Sequence, residues 1–377
     1  MLLFILGRQP EISLAELRAV YGNAKLILPS VALVATDKKP NINNLGSVRK
    51  VGRVIWDQSG EINNFLINKL KNLPSGKITL GVSYYGKTAS VANARKTGIS
   101  LKKNLNRSVR VLPNNEPEVS DAATLGNKLG STPNKVELLI TQIGQRSIIA
   151  ELLGVQDLNA YTFRDRSRPK RDARVGMLPP KLAQTMINLA IGASKNQVKT
   201  VLDPFCGTGV VLQEAALMNL YPYGTDLEPR MIDYSQANLD WLKKTHHRDF
   251  QEKLTVGDAT DFKWQQPIDI IATETYLGQP YAAAPPIDKL QQNIATCNTV
   301  VSKFLTNLAS QTTPKTGLCV AVPRWFAHGK SHQLPLVREL AKLGFEQIFY
   351  SDTKKSLVYH RANQIVGREL LILRKSA

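Results

Sequence analysis

Asp203-Pro204-Phe205-Cys206-Gly207-Thr208-Gly209 is the densest group of chemistry-bearing residues in the chain. It follows a short apolar run, Val198–Leu202, and precedes a helical pattern over Val210–Met218. Glycines at such a strand-to-helix turn tolerate positive φ and let a ligand approach the backbone. The spacing is not that of a dinucleotide fingerprint. Asp226 lies 23 residues further on, at the end of the next strand pattern. That is where an acid grips the two hydroxyls of a ribose. Asp258, in Val256-Gly257-Asp258-Ala259, ends a third strand pattern and can accept from an adenine amine. Each acid alone fits a surface turn. Three strand-end acids in order after a glycine turn fit a nucleoside-type ligand.

Such acids need a sheet to align them. After Pro179 and Pro180 the pattern predicts a helix over Lys181–Ala193 and strands at Val198–Leu202, Pro222–Thr225, Leu254–Gly257 and Ile268–Ala272. Further helices are expected at Tyr234–Lys244, Asp288–Leu308 and Leu334–Leu343, and strands at Gly317–Val322, Ile348–Tyr350 and Glu369–Leu373. This alternation predicts an α/β, doubly wound, Rossmann-like domain. Upstream, Leu2–Leu6 reads as a strand. Ser13 and Glu16 read as a capping box for a helix over Leu14–Val20. Ala92–Asn106 reads as a basic helix with Ile99 and Leu101 on its apolar side, and Val136–Thr141 with Ser147–Ala150 as a hairpin. The elements from 51 to 155 suit a small α+β domain. Tyr161–Arg174 carries six basic residues without apolar periodicity and reads as a linker.

The 377 residues exceed one average domain and carry a net charge of +19. Residues 1–200 hold 30 basic and 13 acidic side chains, whereas residues 201–377 hold 19 and 17. A basic excess confined to one half favours a polyanionic partner for that half, such as nucleic acid or an anionic membrane surface, and makes it look built to meet phosphate. The candidate phosphate-tracking residues are Lys87, Arg95, Lys96, Lys102, Lys103, Arg107 and Arg110. In the linker they are Arg164, Arg166, Arg168, Lys170, Arg171 and Arg174. Cys206, Cys297 and Cys319 are far apart, which excludes a disulfide scaffold and a cysteine-rich metal site. The histidines lack metal-ligand spacing, so no metal is expected. No apolar run approaches the ~18 residues of a membrane span, so no membrane role is expected either.

At this point the chain resembles the tRNA guanine-10 N2-methyltransferase family. The turn Asp203–Gly209 looks like the adenosylmethionine-binding turn of class I RNA amino-methyltransferases, and Val175–Ala190 like the helix that precedes it. The runs Ile5–Leu17 and Arg164–Asp172 are similar to that family too. The resemblance implies an N-terminal ferredoxin-like region at 1–50 and a THUMP-like RNA-binding domain at 51–155. A basic linker at 156–178 and a Rossmann-like methyltransferase domain at 179–377 would follow. It implies S-adenosyl-L-methionine as cofactor and methylation of a guanine N2 amine in tRNA. Asp203, Phe205, Gly207 and Gly209 would form the cofactor turn, Asp226 would hold the ribose, and Asp258 with Ala259 the adenine. Lys181, Ala183 and Asn188 would flank the methionine end. A cytoplasmic monomer is expected, and some relatives act with a small helper protein.

One segment departs from the family. Its Asp-Pro-Pro-Tyr-Gly pattern is replaced here by Glu274-Thr275-Tyr276-Leu277-Gly278. Glu274 takes the place of the acid and Gly278 that of the glycine. Tyr276, or Tyr281, is then the aromatic available to stack on a flipped base. Trp325 and Phe326 fit core packing or a base pocket. DNA adenine-N6 or cytosine-N4 methylation and a degenerate RNA-binding protein remain the alternatives.

Overall fold

The computed structural model describes residues 1–172, 177–265, 267–351, 355–362 and 364–376. The chain divides into two compact units, the first built almost entirely from residues 1–160 and the second from residues 161–377.

The first unit is one eight-stranded sheet. Its strands are β1 (Leu2–Leu6), β2 (Lys25–Leu28), β3 (Val31–Val34), β4 (Val48–Ser59), β5 (Ile78–Tyr85), β6 (Val109–Val111), β7 (Lys135–Ile143) and β8 (Arg146–Val155). They lie in the order β2-β3-β1-β4-β8-β7-β5-β6. The expected break at residue 50 falls inside β4, which pairs with β1 on one side and β8 on the other. The regions 1–50 and 51–155 therefore share one sheet. Alternation along β7 sends Leu138 and Ile140 to one core and Leu139 to another. The first core includes Leu66 and Leu70 of α2 (Ile62–Lys71) and Ala94 and Leu101 of α3 (Val91–Lys103).

Two local expectations fail in this unit. The first helix, α1, spans Pro10–Tyr21, so Ser13 lies inside it. Ser13 and Glu16 are fully buried, and both bond to Ser47. They tie the helix to a distant segment instead of capping its start. In α3, Ile99 is 52% exposed while Leu101 is buried. A fully buried ion pair also sits here: Lys50 Nζ donates to Glu137 Oε1 at 2.6 Å and to the Val119 carbonyl at 2.6 Å. The Ser83 and Thr124 hydroxyls donate to the same carboxylate. A pair so completely bonded is costly to break from one side, about 3–5 kcal/mol.

Two more helices complete this part of the chain: α4 (Asp121–Gly126) lies between β6 and β7, and α5 (Leu158–Arg166) follows β8, inside the expected linker. The second unit then adds β9 (Thr200–Asp203), β10 (Tyr221–Asp226), β11 (Lys253–Val256), β12 (Ile270–Glu274), β13 (Gly317–Ala327), β14 (Lys330–His332), β15 (Phe345–Gln347), β16 (Leu357–Tyr359) and β17 (Val366–Lys375). Its helices are α6 (Pro180–Ala193), α7 (Val210–Leu217), α8 (Pro229–His246) and α9 (Ile287–Ala309). The strand order is β11-β10-β9-β12-β13-β17-β15. The first five strands are parallel, and β17 is antiparallel to β13. Chain direction across the sheet reverses between β9 and β12. That switch point opens a crevice beyond the strands' carboxyl ends. The helix expected at Leu334–Leu343 is a single 3₁₀ turn at Pro335–Arg338. Leu334 and Leu336 are both buried, and the Leu336 N–H donates to Asn298 of α9. The strand expected at 348–350 lies at Phe345–Gln347 instead.

Candidate functional site

A cavity of about 570 Å³ opens beyond the carboxyl ends of β9, β10, β11 and β12. That volume lies within the ~300–1,000 Å³ usual for small-molecule sites. Asp203, Phe205 and Gly207 line it, as do Asp226, Asp258, Ala259, Glu274 and Tyr276. Thus eight positions singled out in the sequence converge on one crevice.

Asp203, the last residue of β9, is buried. The Thr273 hydroxyl donates to its Oδ1 at 2.6 Å and the Phe205 N–H at 3.3 Å. Burial outweighs both bonds and pushes its carboxyl up to about 7. Asp226 ends β10. Its two oxygens accept from the Gly207 N–H at 2.8 Å and the Glu228 N–H at 3.0 Å, so this cavity-lining acid also locks the turn. Burial raises its pKa as well. Asp258 accepts from the Thr260 N–H at 2.8 Å. Phe205 packs edge-on against Phe304. Burial also holds the Cys206 thiol well above its ordinary value, which suits packing and not nucleophilic attack.

Gly207 has φ +51°, and a Cβ there would meet nothing within 4 Å, so the turn presents bare backbone beside the cavity. Gly209 does not line it. This residue starts α7 with φ +78° and sits against Ser235, so its part is to shape the turn. No side chain caps α7, and Thr208, Val210 and Val211 line the cavity at its start. A helix end of that kind favours a negative group.

Glu274 ends β12, and Arg368 of β17 donates Nε to its Oε1 and, at 3.4 Å, Nη2 to its Oε2. Burial raises the Glu274 pKa, while Arg368 pulls it down. Thr275 bonds the Ala321 carbonyl through its N–H at 3.0 Å and its hydroxyl at 3.2 Å. A proline at this position has no N–H to donate. Tyr276 is 40% exposed. Gly278 has φ +80°, and a Cβ there would lie 2.3 Å from the Asn293 side chain. Asn293 also accepts the Gln279 N–H, so Gly278 shapes the loop without lining the cavity.

Several expectations are corrected. Lys181 does not line the cavity; its ammonium lies over the Tyr161 ring. Ala183 and Asn188 are buried in α6 and do not line it either. Arg164 is buried and forks onto Glu214 of α7. Arg168 is 3% exposed and contacts Met177. Neither is placed to track phosphate, because folding uses them inside the second unit. Arg166, Lys170 and Arg171 are exposed, as are Lys87, Arg95, Lys96, Lys102, Lys103 and Arg110. Arg107 donates to the carbonyls of Leu73, Pro74 and Gly76. Arg174 and Val175 lie outside the described residues. Trp325 is fully buried in the core, and Phe326 stacks on His360. Tyr281 packs against the same core as Trp325. Sequence reasoning missed Asp172, Met177, Leu227 and Met231 of the cavity wall, and Arg368. Arg368 lies 94 residues from its partner, and no local pattern marks it.

Among the described residues no cluster of histidine, cysteine and carboxylate side chains could hold a metal ion. No described helix is long and apolar enough to cross a membrane.

Residues 168–319 match the family described as an RMKL-like methyltransferase domain. A tRNA (guanine(10)-N2)-dimethyltransferase of Methanocaldococcus jannaschii is 31% identical over 203 residues, 49% of this chain and 57% of that protein. A namesake from Pyrococcus abyssi is 34% identical over 128 residues, 33% of this chain and 36% of that protein. This chain thus spans about a third to a little over half the length of these two relatives. A protein of Methanothermococcus thermolithotrophicus, named as a probable enzyme of the same kind, is 32% identical over 117 residues. That match covers 30% of this chain and 70% of that protein. The crystal structure of TrmN from Thermus thermophilus covers 100% of both chains with a TM-score of 0.50 at 17% identity, a likeness of fold. The methyltransferase-domain match spans the turn after β9 and the strand-end acids that the fold brings together, and with a relative 32% identical and covered over 70% of its length the chain belongs to the tRNA guanine-10 N2-methyltransferase family.

Proposed function

We propose that this protein is an S-adenosyl-L-methionine-dependent methyltransferase acting on the exocyclic N2 amine of a guanine in tRNA. The observation that carries the reading is the cavity at the β9/β12 switch point, where three strand-end acids and the Glu274 loop meet. Its residues fit the cofactor: Gly207 leaves open backbone, Asp226 would hold the ribose, and Asp258 with Ala259 the adenine. When bound, S-adenosyl-L-methionine would supply an electrophilic methyl group on a sulfonium, whose leaving group is a neutral thioether that keeps the bonding electron pair.

The remaining work falls to this chain. An exocyclic amine is a poor nucleophile, so the site must fix its direction. Glu274 accepts an amine hydrogen and aims the nitrogen lone pair at the methyl carbon. As the methyl group is accepted, the amine proton would leave through Glu274 to solvent. Tyr276, exposed and lining the cavity, offers a face on which a flipped base stacks.

We read the first unit as the ferredoxin-like and THUMP-like RNA-binding part, supported by the exposed cations of α3. The linker cations Arg166, Lys170 and Arg171 would add to that contact. The protein would work as a cytoplasmic monomer on tRNA, with a small activating protein as a further partner.

The test is methyl transfer from labelled S-adenosyl-L-methionine to unmodified tRNA, with the product nucleosides separated. N2-methylguanosine is expected. Methylated adenine or cytosine in DNA alone would transfer the reading to a DNA amino-methyltransferase. Cofactor binding with no product on any nucleic acid would leave a binding protein.

A further inference from the structure

Glu274 is one methylene longer than the family's aspartate, and a longer arm has one more torsion to fix. Unrestrained, its carboxylate would wander by about an ångström, enough to cost about 100-fold in rate. The sheet supplies a restraint. Glu274 pairs with Ala321 across the parallel β12–β13 ladder. Across the antiparallel β13–β17 ladder, Ala321 faces Leu370 and Pro323 faces Arg368. Arg368 therefore sits one strand beyond β13 and two residues toward the carboxyl ends of the parallel strands. Strands two apart in a sheet are separated by roughly 9.5 Å. The Glu274 and Arg368 side chains bridge that gap, and an aspartate at 274 would draw the acceptor back by about an ångström.

We propose that Arg368 is the positioning residue of the methyl-transfer site, holding the Glu274 carboxylate as the acceptor for the target amine. This rests on the methyltransferase reading above. Two features support it beyond the contact itself. Arg368 is 7% exposed and Glu274 lines the cavity, so the fork is shielded from water on one side and open to the ligand on the other. Each carboxylate oxygen has a second lone pair, so accepting from Arg368 leaves capacity for amine hydrogens. The charges set against Glu274 are few. Arg368 comes from β17, Asp203 from β9 interacts with it through space, and β13 presents the uncharged Ala321 in register.

Full-length R368M, R368K, E274D and the double variant E274D/R368M test the role. The readouts are single-turnover methyl transfer to tRNA across pH, and S-adenosyl-L-methionine affinity by calorimetry. R368M is expected to lower the transfer rate about 100-fold while keeping cofactor affinity within about threefold. Losing the cation raises the Glu274 pKa, so the acidic limb of the pH–rate profile moves to higher pH. R368K recovers part of the rate. E274D slows transfer although it restores the family residue, and the double variant is no worse than the poorer single one.

A folded R368M with wild-type rate and an unmoved acidic limb overturns the proposal, as does E274D at wild-type rate. Should R368M not fold, R368K decides: a reduced rate at unchanged cofactor affinity supports the role, and a wild-type rate overturns it. A wild type that binds cofactor yet methylates no nucleic acid overturns the function reading and the positioning role with it. An active wild type indifferent to Arg368 overturns the positioning role alone.

Discussion

Asp226 uses one carboxylate oxygen on the Gly207 N–H and the other on the Glu228 N–H, so it shapes the turn as well as facing the cavity. Asp226→Ala removes a charged acceptor from the ribose position and should weaken S-adenosyl-L-methionine binding by roughly 10- to 100-fold. Calorimetry with tRNA affinity measured in parallel checks this; unchanged cofactor affinity would remove Asp226 from the ribose site. Asp203 carries a different prediction. Burial pushes its carboxyl up to about 7 in the fold, from an ordinary value near 3.8. Between those values the folded state binds more protons than the unfolded one, so stability falls as pH rises from about 4 to about 7. Asp203→Asn keeps an acceptor for Thr273 and abolishes that loss. Its melting temperature should exceed that of the wild type by a few degrees at pH 8 and match it near pH 4. Equal melting temperatures at pH 8 would show that burial does not strain Asp203.

At the scale of elements, the loop after β12 is held by contacts that the family's prolines cannot make. Thr275 extends the pairing of β12 with β13 by one more N–H bond, to the Ala321 carbonyl. Gly278 packs against Asn293 of α9. Thr275→Pro, which restores a family residue, should therefore destabilise the protein by about 1–3 kcal/mol and slow methyl transfer. Denaturant midpoints with single-turnover rates test this; a Pro variant with wild-type stability and rate would mean the loop tolerates the family geometry. The same scale explains why two of the linker's six cations, Arg164 and Arg168, are buried and do not face solvent. A run of arginines without periodicity reads as solvated, but α5 turns Arg164 inward onto Glu214. A single buried carboxylate fifty residues away decides that orientation, and nothing near Arg164 announces it.

Over the whole molecule, charge separates from chemistry. The first 200 residues carry a net +17 and the remainder +2. The acids that line the cavity at the ends of β9 to β12 all lie in the balanced half. With Arg164 and Arg168 buried, the exposed cations of α3 become the main candidates for phosphate contact. Replacing Lys96, Lys102 and Lys103 together by alanine should lower tRNA affinity and flatten its salt dependence by up to about 3 in log–log slope. Cofactor affinity should not change. Fluorescence anisotropy from 50 to 200 mM salt reads both effects. An unaltered slope would place the RNA on another surface.

The turn Asp203–Gly209, the two strand-end acids after it and the alternation of strands and helices were legible in the sequence, because each rests on geometry set within a few residues. A strand-to-helix turn needs its glycines wherever the strand sits in the sheet. Four matters were decided only by the tertiary structure. The first 155 residues form one sheet because β4 is long enough to pair on both sides. Ser13 and Glu16 became tethers to Ser47 instead of a cap. Lys181 turned to Tyr161 and away from the cavity. Glu274 acquired Arg368, because β17 inserts antiparallel beside β13 and brings together residues 94 apart. Strand order fixes which distant side chains meet, and no short-range pattern encodes strand order.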